Sequence, residues 1–319
     1  MTHLPTSRSG LLSAVLVCAA AGVITVGAAV SRTLGAPSPS ASPDPATEDY
    51  GRRLIGQTSR YLGPDQPDAS MRYSGSRLAC ASCHLGIGTQ TGTLTLLQTT
   101  EHYPRFSARV GDMTDIEDRI NECMQRSMNG KPLPMDGVEM RAMAAYLRSL
   151  GRRYEAMGAS LKKVDEPAPF KAPARAASLE RGRDVFMSRC AICHGDDGQG
   201  LRASANPADG YVFPPLWGPD SFNDGAGMHR VLTASRFIKA RMPLGKADLT
   251  SDEAFDVAAF INAQPRPAMA NLDRDYPDRT AKPVDNAYGP FADPFPIEQH
   301  RFGPYGPIEA YYKALKAKK

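Results

Sequence analysis

The sequence predicts a mainly α-helical protein, with two small helical domains in tandem and an irregular C-terminal extension that wraps over them. Three observations carry that expectation. The pentapeptide C-x-x-C-H occurs twice, as Cys80-Ala81-Ser82-Cys83-His84 and Cys190-Ala191-Ile192-Cys193-His194. Each copy is followed by an apolar helical segment ending in a similar phrase, Ala144-Ala145-Tyr146-Leu147 and Ala258-Ala259-Phe260-Ile261, so the two halves repeat one unit. Finally, 27 Pro and 28 Gly against a single Trp indicate loop-rich domains with modest cores, which a large apolar prosthetic group would complete.

Taken in chain order, Arg8 precedes an uncharged apolar run over 10–30, followed by Pro/Ser-rich sequence. Residues 1–34 read as an export signal or, because about 20 apolar residues can span a bilayer, as an N-terminal membrane anchor. Residues 35–46 are the tether. Cys18 lies inside the run, but Val17 before it fits a lipoprotein site poorly. Either version places the remainder in the periplasm and confines membrane contact to the N-terminal segment if it stays uncleaved. Residues 47–163 form the first domain, with Thr47 to Tyr61 as the helix before the motif and a Pro/Asp/Ser/Gly-rich insertion between them. Residues 164–176, with repeated Pro and Ala, are the linker. The second domain covers 177–266, its helix Leu179 to Ser188 running directly into Cys190. Residues 267–319 are the extension, rich in Pro, Asp, Tyr and Gly, with a short helix from Ile308. The net charge of +4 is spread along the chain and does not point to nucleic acid.

C-x-x-C-H is the signature of c-type haem attachment. Two thiols add to the two vinyl groups of one porphyrin edge, and the adjacent His, here His84 or His194, ligates the iron. Two covalently bound haem c groups follow, with cytochrome c-like folds around them. The other readings of C-x-x-C, a redox dithiol or half a zinc site, do not call for a His directly after the second Cys in both copies. Opposite His194, Met242 is the ligand candidate, on a loop before the last helix of the domain, with Met228 as competitor.

The first domain holds Cys123, the cysteine left over once four are spent on attachment and Cys18 is assigned to the leader. Thr114-Asp115-Ile116-Glu117 reads as a capping box opening a helix that runs to about Met128. On it Arg119, Cys123 and Ser127 stand at i, i+4 and i+8, on the face of Ile116 and Ile120. Arg on a half-buried face requires an anion, and Arg105 and Arg109 upstream add positive charge. A thiol, guanidiniums and a hydroxyl beside a haem suit a small oxyanion. The alternatives are an inert buried thiol, Arg paired to Glu117 or Glu122, and a plain dihaem electron carrier. In that carrier Met128, which falls opposite Met242 when the repeats are aligned on Ala144 and Ala258, would ligate the first iron.

The stretch Leu97-Gln98-Thr99-Thr100-Glu101-His102-Tyr103-Pro104-Arg105-Phe106-Ser107-Ala108-Arg109 resembles the dihaem thiosulfate dehydrogenases. So do Asp118-Arg119-Ile120-Asn121-Glu122-Cys123 and Arg126-Ser127-Met128-Asn129-Gly130-Lys131-Pro132-Leu133-Pro134. The second half agrees in Pro214-Pro215-Leu216-Trp217-Gly218-Pro219-Asp220-Ser221-Phe222-Asn223 and Met242-Pro243. The tail agrees in Asp275-Tyr276-Pro277-Asp278-Arg279 and Tyr288-Gly289-Pro290. The resemblance implies oxidation of two thiosulfate ions to tetrathionate, reversible in some members. Two electrons pass to a soluble or membrane-bound acceptor cytochrome or similar protein. It implies His84 and Cys123 as axial ligands of the active-site haem, Arg109, Arg119 and Ser127 in the active site, and Met242 on the second haem. Some members carry Lys before that Met as an alternative ligand. This chain has Arg241, whose guanidinium stays protonated and cannot ligate. A related class, the sulfur-oxidising cytochromes that join thiosulfate to a carrier protein's cysteine, also uses a Cys-ligated haem.

Overall fold

A glycine lets two helices cross closely in each half. Helix α1 (Glu48–Gly56) meets α4 (Val138–Ala156) at Gly51, where a Cβ would collide with the Ala142 carbonyl and the Tyr146 side chain. Helix α5 (Leu179–Arg189) meets α8 (Ser251–Ala263) at Gly182, against the Asp256 carbonyl and Phe260. Tyr146 and Phe260 are the equivalent aromatics of the repeated phrase, so the repetition seen in sequence is a repetition of one helix crossing. The computed structural model describes residues 47–158 and 170–317. The leader, the tether and the first part of the proposed linker, residues 164–169, lie outside the described residues, Cys18 among them.

Between α1 and α4 come α2 (Thr58–Leu62), the first C-x-x-C-H turn, a two-stranded hairpin and α3 (Ile116–Arg126). The hairpin pairs β1 (Arg105–Ser107) antiparallel with β2 (Asp112–Thr114), Phe106 opposite Met113. The second half inserts α6 (Ala191–His194), a second small hairpin (β3 Leu201–Arg202, β4 Tyr211–Phe213) and α7 (Val231–Arg241) between α5 and α8. These two hairpins are the sheet among the described residues; the fold is otherwise helical and irregular. Each half has its own core, one centred on Leu54, Met124, Met140 and Leu150, the other on Phe186, Phe255, Val257 and Ile308. Among the described residues no helix is long and apolar enough to cross a membrane.

The cap of α3 sits one residue beyond the expected register. Asp115, not Thr114, is the N-cap: its carboxylate accepts from the Asp118 N–H at 2.9 Å, and Asp118 accepts from the Asp115 N–H at 3.0 Å. Thr114 belongs to β2, and its hydroxyl donates to the Arg105 carbonyl at 3.2 Å. The tail adds α9 (Ile297–Phe302) and α10 (Gly306–Lys316), more helix than the short end expected from Ile308. It folds back on both halves. Asp275 accepts from Arg126 at 2.7 Å and from the Tyr288 hydroxyl at 2.6 Å, and Ile308 is fully buried in the second core.

His229 introduces a pH dependence. Its Nδ1 lies 2.8 Å from the Asp224 carbonyl and its Nε2 3.3 Å from the Asn262 carbonyl. Burial first, and then the positive charge of Arg266, push its pKa down to about 4. The unfolded chain binds a proton here below about pH 6.5, while the native state stays neutral down to about 4. Stability from this group is therefore full above 6.5 and falls by about 1.4 kcal/mol per pH unit on acidification towards 4. Denaturant unfolding at pH 7, 6 and 5 should show that slope, and His229→Gln should flatten it.

Candidate functional site

Two apolar cavities of about 340 and 300 Å³ open beside the two C-x-x-C-H motifs. Cys80, Cys83 and His84 line the first; Cys190, Cys193 and His194 line the second. In each, the imidazole Nδ1 lies 2.8 Å from a backbone carbonyl, Leu94 for His84 and Pro214 for His194. A carbonyl only accepts, so Nδ1 carries the proton and Nε2 keeps its lone pair, the form in which His binds a metal. Burial lowers both imidazole pKa values, which keeps them neutral. Leu94 presents its carbonyl from a left-handed backbone (φ +64), a costly conformation for Leu.

The thiols fit thioether formation better than the alternatives. Burial pushes Cys80 up to about 12, and Cys83 and Cys190 up to about 11, whereas a redox C-x-x-C lowers its thiol pKa. Among the described residues no group of three or more His, Cys, Asp or Glu side chains gathers as a metal site. Apolar walls, a pair of thiols and a poised imidazole are what a covalent haem requires.

The first cavity also collects the anion-binding candidates. Arg119, Cys123 and Ser127 line it from α3 and its C-cap, joined by Arg105 and Tyr103. Cys123 is the largest influence raising the Arg119 guanidinium pKa, so the two side chains are close neighbours in the cavity wall. Arg119 Nη1 donates to Glu122 Oε2 at 2.9 Å, and Arg109 Nη1 lies 3.5 Å from Glu122 Oε1. Arg109 thus stands one residue behind the cavity wall, at the hairpin tip. There its carbonyl accepts from the Tyr276 N–H at 2.8 Å and its Nε reaches the Tyr276 hydroxyl at 3.4 Å. Met128, 2% exposed, lines the same cavity as Cys123.

Glu122, Tyr103 and Tyr276 were given no functional part by sequence reasoning. Glu122 adjoins Cys123 and is, in the sequence, an alternative partner for Arg, the pairing that Arg119 makes here. Tyr276 lies 167 residues from Arg109, beyond any local pattern.

In the second cavity Met242, at the C-cap of α7, shares the lining with His194, and Met228 lines both cavities. Arg241 turns away to donate to the Thr91 and Thr93 carbonyls, the latter at 3.2 Å, on the loop that leads to Leu94. Leu78, Ala79, Cys83 and Phe222 form wall common to both cavities.

A covalent-attachment motif with a metal-ready His beside an apolar cavity defines a c-type cytochrome. Residues 72–155 match the family described as SoxA/TsdA, cytochrome c domain, and residues 177–261 match Cytochrome C oxidase, cbb3-type, subunit III. The thiosulfate dehydrogenase of Allochromatium vinosum is 40% identical over 223 residues, 68% of this chain and 77% of that protein. That of Stutzerimonas stutzeri is 36% identical over 228 residues, 70% of each. That of Psychrobacter arcticus is 38% identical over 212 residues, 65% of this chain and 62% of that one. The solved thiosulfate dehydrogenase TsdBA from Marichromatium purpuratum superposes with a TM-score of 0.64 at 31% identity, over 80% of this chain and 52% of its own. The chain belongs to the thiosulfate dehydrogenase family of dihaem c-type cytochromes. It spans less than two thirds of the Psychrobacter relative and about half of the solved one.

Proposed function

We propose that this protein is a periplasmic thiosulfate dehydrogenase. It would oxidise two thiosulfate ions to tetrathionate and pass two electrons, through haems at Cys80/Cys83 and Cys190/Cys193, to an external acceptor cytochrome. The observation that carries this reading is the convergence of Cys123, Arg119 and Ser127 on the cavity of His84. The haem irons supply two one-electron stores.

The residues address the main obstacle, which is charge. Two dianions about 4 Å apart repel by roughly 16 kcal/mol at an effective dielectric of 20. Arg119 and Arg105 in the wall offset that repulsion, with bidentate geometry suited to oxyanions. Glu122 holds Arg119, and Arg109 stands beside the same carboxylate, so the guanidiniums are aimed before substrate arrives. The Cys123 thiolate forms an S–S bond to the sulfane sulfur of one thiosulfate, giving a Cys-S-S-SO3− adduct as two electrons leave. The second thiosulfate attacks that sulfane sulfur, tetrathionate departs, and the thiolate returns. Covalent capture splits one encounter between like charges into two easier steps. Ser127, one helical turn after Cys123, provides a hydroxyl donor for the oxyanion.

Purified holoprotein supplied with thiosulfate and an artificial acceptor should release one tetrathionate per two electrons accepted. Absence of tetrathionate without a carrier protein, and its replacement by a thiosulfate–cysteine conjugate when one is added, would put the protein with the conjugating cytochromes.

We assign Met242 as the second ligand opposite His194. Met242→Ala should lower the potential of that haem and slow electron exit while leaving thiosulfate binding unchanged, and Met228→Ala should keep the methionine-ligand spectrum. Potentiometric titration with near-infrared absorption checks both.

A further inference from the structure

The turn that orients His84 is built on a residue that resists it. The Thr95 N–H donates to the Gly92 carbonyl at 3.1 Å, closing a four-residue turn with Thr93 and Leu94 at its centre. Leu94 has φ +64, whereas Thr93 is not left-handed. That is the pattern of a type II turn, whose third position normally takes Gly. A type I turn would give Leu94 an ordinary φ. The two forms differ by a rotation of the peptide between the central residues, which reverses the Thr93 carbonyl. A left-handed Leu is disfavoured by roughly tenfold, and such a residue persists only where its surroundings hold it.

The surroundings come from two sides. Downstream, the Leu96 N–H donates to the Gly88 carbonyl at 2.8 Å and the Thr95 hydroxyl to the same carbonyl at 3.2 Å. Upstream, the holder belongs to the other half of the molecule. Arg241, the last residue of α7, sends Nη2 to the Thr91 carbonyl and, at 3.2 Å, to the Thr93 carbonyl. The Thr93 carbonyl is the group whose direction separates the two turns. A guanidinium fixed on it selects the form with Leu94 left-handed, and in that form the Leu94 carbonyl lies 2.8 Å from His84 Nδ1.

We infer that Arg241 is a positioning residue for the first haem: reaching across from the second half, it locks the Gly92–Thr95 turn in the form that aims the Leu94 carbonyl at His84. The inference rests on the reading of His84 as ligand of a haem at Cys80/Cys83. A carbonyl that accepts from Nδ1 makes the imidazole a stronger donor to iron, which favours the ferric state and lowers the potential. Without Arg241 the turn relaxes, that bond loosens and the potential rises. Charge alone acts with the opposite sign, because taking a cation away from a haem disfavours the ferrous state and lowers the potential.

The test is Arg241→Gln in the holoprotein, with the first-haem potential titrated at constant pH and solvent exchange of the His84 Nδ1–H followed by paramagnetic NMR. The potential should rise and the exchange should quicken on the order of tenfold, the factor by which a left-handed Leu is disfavoured. Leu94→Gly supplies the control, since Gly takes a positive φ at no steric cost and no longer needs the guanidinium. Introduced into Leu94→Gly, Arg241→Gln should change neither quantity. An unchanged first haem, a fall in its potential, or an equal rise in the Leu94→Gly background would each overturn the inference. Intact mass reports the underlying reading separately. A chain without haem at Cys80/Cys83 would overturn that reading together with this one, whereas a dihaem protein in which Arg241→Gln is silent would overturn this one alone.

Discussion

Cys123→Ala should retain both haems and lose thiosulfate oxidation by at least about a thousandfold, because the nucleophile of the covalent step is gone. Cys80, Cys83, Cys190 and Cys193 remain to hold the cofactors, so intact mass should be that of the dihaem protein less one sulfur atom. The thiolate-type spectrum of the first haem should vanish with the activity. Arg119→Ala should behave differently. It removes one charge-assisted partner worth about 1.5–3 kcal/mol, which should raise KM about 10- to 100-fold and leave the spectrum in place. The contrast decides between Cys123 and Met128, which share the cavity. If Cys123→Ala kept the spectrum and the turnover, Cys123 would be an ordinary core residue, and Met128 would be the ligand candidate left in the cavity.

Asp275→Ala should be the most destabilising single change among the ion pairs of the first half. Asp275 is buried and accepts from Arg126 Nη2 at 2.7 Å and from the Tyr288 hydroxyl at 2.6 Å, with Arg109 Nε 4.0 Å away. Arg126 is itself 9% exposed. Removing the carboxylate leaves a buried guanidinium with the Gly225 carbonyl at 3.1 Å as its remaining acceptor, a loss of about 3–5 kcal/mol. Asp275→Asn, which keeps one acceptor oxygen, should cost less. Thermal unfolding of the holoprotein measures both. KM for thiosulfate should rise as well, because the adjacent Tyr276 N–H holds the Arg109 backbone at 2.8 Å.

What could be read from the chain alone was what is encoded within a few residues. The attachment motifs are five residues long, and Arg119, Cys123 and Ser127 are separated by single helical turns, so both follow from local spacing. The α3 cap was legible as a feature and misplaced by one residue, because Thr114 is claimed by β2, and a three-residue strand leaves little periodic signal. Non-local partners could not be read. Leu94 and Pro214, which orient the two His, are ordinary residues chosen by where their carbonyls fall. Arg109 gains Tyr276 and Arg126 gains Asp275 through the stretch between α8 and α9, which has no long helix or strand to announce it. Gly51 and Gly182 look like any glycines in helices until the crossing that demands them is known. Glu122 was visible as a partner for one arginine; its place between two depends on the hairpin bringing Arg109 back to α3.

The reach of Arg126 also sets a timetable for assembly. Its acceptors, the Gly225 carbonyl and the Asp275 carboxylate, lie 99 and 149 residues further along the chain. A polypeptide made from its N-terminus exposes Cys80 and Cys83 long before Asp275 exists, and until then the Arg126 guanidinium stays in water and α3 lacks its clasp. Among the described residues, none beyond Thr233 lines the first pocket, so haem attachment at Cys80 and Cys83 should not need the tail. Chains halted before residue 275 should accept haem at Cys80 and Cys83 yet remain open to proteolysis across α3.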